Sequence, residues 1–80
     1  MNNFGLTARQ QDVYAFLKRY HNVHGVFPSV REIAKGQIEG QQVIQQNTST
    51  GNIHRILVAL EKRNVIARQT ARARSMRFLD

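Results

Sequence analysis

Between Ser49 and Arg63 the chain sets polar and cationic side chains at spacings that suit one kind of chemistry, the non-covalent reading of a polyanion. Counted at 100° per residue, a helix over this stretch puts Ile53, Ile56, Leu57 and Leu60 on one side. Gly51, Arg55, Val58 and Lys62 fall opposite, with Asn52 and His54 on the flanks. An outward arginine can pair bidentately with guanine O6 and N7, and an asparagine can do the same with adenine. A solvated helix surface with Asn52 capping locally is the plainer reading of the same residues, and His54 reaches a base or phosphate only if the helix is slightly rotated.

Bond-making chemistry has no comparable set. The five acids, Asp12, Glu32, Glu39, Glu61 and Asp80, stand singly, so no acid/base pair or nucleophile constellation forms and no enzyme is expected. The chain has no cysteine, which excludes disulfides, zinc ribbons and thiol nucleophiles and suits a reducing cytoplasm. His21 and His24 are two residues apart, but no nearby carboxylate or thiol completes a metal site, and no cofactor is expected.

Charge points the same way as the helix. Twelve Lys and Arg against five acids leave a net charge of +7, and nine of the twelve are Arg, whose planar fork matches phosphate oxygens and guanine edges. Six bases lie from Lys62 onward: Lys62, Arg63, Arg68, Arg72, Arg74 and Arg77. The longest apolar run, "ILVAL", is far shorter than the roughly 20 residues of a membrane span, and the N-terminus lacks signal-peptide character. A cytosolic protein with no membrane partner is therefore expected.

Local signals define the elements that must carry these residues. Thr7 with Gln10 forms a capping-box pattern, and Val13, Phe16, Leu17 and Tyr20 follow at i, i+3, i+4, i+7, predicting a helix over about residues 8 to 23 that Gly25 ends. Ser29 with Glu32 repeats the pattern for a short second helix carrying Val30, Ile33 and Ala34 inward, which Gly36 ends. Ser49 or Thr50 caps the third helix. After Asn64 the segments "VIARQ" and "SMRFL" read as strands flanking the loop "TARAR". With no core to serve, Arg72 and Arg74 of that loop are candidates for contact with DNA, whereas Arg68 and Arg77 could instead flank each other across the strands. The predicted fold is mainly α with a small β-hairpin, a three-helix winged helix-turn-helix forming a single domain over residues 1–80.

The residues are more specific than this order. "LTARQQDVYAFLKRYHNVHGVFPSVREIA", residues 6 to 34, and "ALEKRNVIARQTARARSMRFL", residues 59 to 79, resemble the N-terminal DNA-binding domain of the LexA repressor family, each without a gap. The resemblance implies a third helix in the major groove and a wing on adjoining backbone. It places base-reading positions on Ser49, Gly51, Asn52, His54 and Arg55, and backbone contacts on Arg63 and Arg74; Thr50 and Lys62 complete the candidate interface. The family's acidic base readers are replaced by His54 and Arg55, so its operator sequence does not carry over. The family's protease domain and usual dimerisation surface do not follow, so a DNA-reading part without self-cleavage is expected.

The resemblance breaks at residues 35 to 48, where a Gln-rich insertion elongates the turn between the second and third helices. Gly36, Gly40, five Gln, and the apolar Ile38, Val43 and Ile44 admit three readings. A surface loop is the simplest. Alternatively the apolar residues dock on the core, or the amides meet DNA phosphates or a second protomer. The function expected is sequence-specific binding of double-stranded DNA in transcriptional regulation, probing one or two half-sites as a monomer or homodimer. Two alternatives are a winged-helix adaptor that binds a protein partner through the insertion, and a non-specific nucleic-acid binder that relies on charge alone.

Overall fold

A computed structural model describes residues 5–46, 49–68 and 76–79. Three helices, α1 (Ala8–His24), α2 (Val30–Lys35) and α3 (Thr50–Lys62), pack around one core, with α1 and α2 both against α3. Strands β3 (Ile66–Arg68) and β4 (Met76–Phe78) form an antiparallel hairpin after α3. This is a winged helix-turn-helix. A second small hairpin, β1 (Gln37–Ile38) with β2 (Gln41–Gln42), stands between α2 and α3.

The helices begin and end where local chemistry dictates. Both expected capping boxes form: Gln10 N donates to Thr7 Oγ1 at 3.2 Å and Thr7 N to Gln10 Oε1 at 3.1 Å, while Ser29 and Glu32 exchange the equivalent pair. Glu32 does more than cap, because its other oxygen, Oε2, accepts the Tyr20 hydroxyl at 2.9 Å and so joins α2 to α1. Gly25 and Gly36, at φ +73° and +70°, close α1 and α2 in the left-handed region that favours glycine.

Val13, Phe16, Leu17 and Tyr20 of α1, Ile33 and Ala34 of α2, and Ile53, Leu57 and Leu60 of α3 are buried together with Val65, Ile66 and Met76. The two apolar stripes thus meet each other and the inner face of the wing. Phe78 extends this packing to Tyr14 and Phe27, with ring centroids 5.8 and 5.0 Å away. The two histidines of α1 serve the same aromatic surface: His21 lies 4.8 Å from Phe27, and His24 lies 4.4 Å from Tyr20.

The insertion is not the plain surface loop that composition favours. Glu39 and Gly40, at φ +53° and +78°, make a two-residue turn of the kind that matches strand twist, and it pairs Gln37 with Gln42 and Ile38 with Gln41. Ile38 is buried in the core, and Val43 and Ile44 pack partly against it. Gly36 accepts from both Val43 N and Ile44 N, and Gln42 Nε2 donates to the carbonyls of Lys35 and Ile44 at 2.7 and 2.6 Å. A side-chain amide therefore satisfies the Lys35 carbonyl that the end of α2 leaves open, and ties it to the Ile44 carbonyl of the insertion. Of the three arrangements the sequence admits, the docking of Ile38, Val43 and Ile44 on the core is the one present.

At their described ends the wing strands stop one residue inside the predicted segments, leaving out Val65 and Leu79, and Arg68 is placed differently. Arg77 stands opposite Ala67, not Arg68, and faces outward, while Arg68 turns inward opposite Met76 and pairs with Glu61 of α3. Alternation along the strand explains the difference, since Ile66 and Arg68 share a face and that face is the buried one. Residues 69–75 lie outside the described residues, and with them the loop carrying Arg72 and Arg74.

Candidate nucleic-acid interface

The start of α3 is set by Ser49, whose Oγ accepts from Asn52 N at 3.2 Å. From that cap the helix buries Ile53, Leu57 and Leu60, and this rotation leaves Ser49, Thr50, Gly51, Asn52, His54, Arg55 and Lys62 exposed. Arg55 is central on the outer face, with Asn52 and His54 to either side, as helical spacing requires. At Gly51 an added Cβ would meet only Ser49 Oγ at 3.5 Å, an ordinary contact, so the fold itself does not demand glycine there. What its missing side chain provides is a low point on the exposed face.

The end of α3 links this face to the wing. Asn64 adopts φ +62°, its N–H donates to Glu61 O at 3.0 Å, and Val65 N donates to Leu60 O at 3.2 Å. These are the two bonds of a Schellman motif, with Val65 buried behind it, and they turn the chain directly into β3. Leu79 N donates to Val65 O at 3.0 Å, which returns the end of β4 to the same turn. Arg63 is exposed at this corner; its guanidinium lies against Gly5, where a Cβ would stand 3.0 Å from Nη1.

Together these geometries make one polar, cationic surface on a helix held between a cap and a Schellman turn. A family model for the LexA DNA-binding domain matches residues 3–75. The chain belongs to the LexA DNA-binding domain family. It is 34% identical over 74 residues to a LexA repressor of Koribacter versatilis (strain Ellin345), a match that covers 92% of this chain and 31% of that repressor. The chain thus spans about a third of the length of the curated relative it matches.

A second group of residues joins this LexA-like surface, and no local pattern in the sequence points to it. Arg9 and Gln10, at the start of α1, line a shallow open groove together with Asn52, Arg55 and Ile56 of α3. Arg9 is held in place by the insertion, since its Nη2 donates to Gln45 O at 3.2 Å. The motif "LTARQQ" contains both residues, but only the packing of α1 across α3 brings them beside Arg55. Of the expected site residues, Asn52 and Arg55 share this groove, and His54 stands on the other flank. Arg72 and Arg74 lie outside the described residues. Among the described residues no group of three His, Asp or Glu side chains could hold a metal ion, and no helix is long and apolar enough to cross a membrane.

Proposed function

We propose that this chain is the DNA-reading part of a LexA-like transcriptional repressor and binds double-stranded DNA in a sequence-dependent manner. In this reading α3 enters the major groove, Arg55 and Asn52 read base edges near Ser49 and Gly51, and His54 assists from the flank. Lys62, Arg63, Arg72 and Arg74 hold phosphates on either side. The observation that carries the proposal is the capped, exposed face of α3, on which every candidate base reader is solvent-facing while the opposite stripe is buried. Membership of the family supports it, as does the name of the relative.

Such an interface joins two kinds of contact that behave differently under test. Phosphate contacts release counterions, and if about six are made, log affinity falls with log salt at a slope of about −5. Base contacts discriminate, each good bidentate pair by about 1–3 kcal/mol. Arg55→Ala is therefore expected to erode discrimination by about that amount, while Arg74→Ala weakens binding to all duplexes alike and flattens the salt slope by about one unit.

The test is selection of duplexes from a randomised pool by the purified protein at about 150 mM salt, a concentration at which charge-driven binding is already weakened. An enriched motif that Arg55→Ala blurs supports the proposal, and two symmetric half-sites would report a homodimer on DNA. Retention of DNA only at low salt, with no enrichment, would reduce the function to charge-driven binding.

A further inference from the structure

Arg68 occupies a position that the wing's own pattern reserves for an apolar side chain. It shares the inward face of β3 with Ile66 and stands opposite Met76, both of them buried, and its own side chain is only 4% exposed. Its Nε and Nη2 both donate to a single oxygen, Glu61 Oε1 on the last turn of α3, at 3.0 and 2.8 Å. Its Nη1 is buried with no hydrogen-bond acceptor among the described residues.

As a means of holding the wing down, this is a poor choice. Burying a guanidinium is costly, and well-packed apolar residues in place of a buried ion pair are often as stable or more so. An apolar contact also leaves the angle between two elements soft, because burial is non-directional. Two charge-assisted bonds converging on one oxygen fix both a distance and a direction. The pair joins two particular places: Glu61 immediately precedes Lys62 and Arg63, and Arg68 stands four and six positions before Arg72 and Arg74.

We infer that Arg68 and Glu61 are positioning residues that set the angle of the wing on α3, and so determine which phosphates the wing reaches while α3 lies in the groove. The inference rests on the DNA-reading function proposed above. A change of angle at Arg68 moves β3 and β4 relative to α3, whereas the face around Arg55 is set by the core and is unaffected.

The double variant Glu61→Met/Arg68→Met tests this, with Glu61→Gln as a second variant that keeps the shape and removes the charge. Three quantities are measured: the thermal midpoint, the orientation of β3 and β4 relative to α3 from residual dipolar couplings without DNA, and the salt dependence of binding to the selected duplex. The expected result is a midpoint equal to or above that of the parent. The couplings of the wing no longer fit the alignment of α3, affinity falls about tenfold, and the salt slope flattens by about one to two units as wing phosphates are lost. Base preference is unchanged. Glu61→Gln shows the same changes of orientation and salt slope at smaller size, with a midpoint below the parent's because the Arg68 charge stays buried without its partner, and it alone decides the matter if the double variant does not fold. Parental wing orientation together with parental salt slope would overturn the inference. If the parent selects no motif, the DNA-reading proposal fails, and the couplings still decide whether the pair orients the wing.

Discussion

The molecule carries two short antiparallel hairpins, and they are built on opposite terms. The insertion hairpin, β1–β2, bears a single charge between residues 36 and 46, Glu39 at its tip, and its strands carry Gln37, Gln41 and Gln42, the amides of Gln37 and Gln42 bonded to each other. The wing, β3–β4, bears Arg68, Arg72, Arg74 and Arg77 between its first and last strand residues. The first closes through a tight two-residue turn, the second through a longer connection. What they share is the manner of attachment, because each sends an isoleucine, Ile38 or Ile66, into the same core. A helix-turn-helix thus accepts a longer turn when the extra chain brings its own apolar anchor and settles its own backbone hydrogen bonds.

The sharpest test of that statement is to remove each anchor. Ile66→Ala is expected to cost about 2–5 kcal/mol, since Ile66 is fully enclosed, and in so small a chain each kcal/mol lowers the melting temperature by about 4–8 °C. Ile38→Ala, at the edge of the same core, should cost about 2 kcal/mol, at the lower end of that range. Thermal melts of the two variants decide the matter. If Ile38→Ala melted like the parent, the insertion would be a decoration and the comparison would collapse.

The turn glycines sharpen it further. Gly36 and Gly40 both have positive φ, but a Cβ at Gly36 would stand 2.5 Å from Ile44 O and 2.9 Å from the Gln42 amide, whereas at Gly40 it would meet nothing within 4 Å. Gly36→Ala therefore adds a clash with backbone to the cost of the left-handed conformation, itself about 1–2 kcal/mol, and Gly40→Ala bears the conformational cost alone. Denaturant midpoints should fall in that order. The smallest effect is expected from Gln42→Ala, about 1 kcal/mol, because water can reach the carbonyls that its amide now satisfies. Hydrogen exchange should report that loss locally, as faster exchange at Val43 and Ile44, whose amides donate to Gly36 O.

Much of this architecture was legible in the residues because it rests on interactions three or four positions apart. The capping boxes at Thr7 and Ser29, the stripes of α1 and α3, the glycine ends of two helices and the resemblance to the LexA domain are all local patterns, and each appears where the pattern puts it. The exposed face of α3 follows from the same rule, for once Ile53, Leu57 and Leu60 are inside, Arg55 must be outside.

Tertiary structure decided what pairs across long separations. Arg9 meets Gln45 from 36 residues away and shares a groove with Arg55 only because α1 crosses α3. Arg68 looks like one more wing cation in the sequence, yet strand register turns it inward to Glu61, and nothing in its neighbours announces that. The insertion resembles a solvated loop by composition, because glutamine and glycine dominate it, and three scattered apolar residues were too weak a signal to show where they would dock. Helical periodicity is written in one segment of chain, whereas a partner across the fold is chosen by register and packing that no single segment contains.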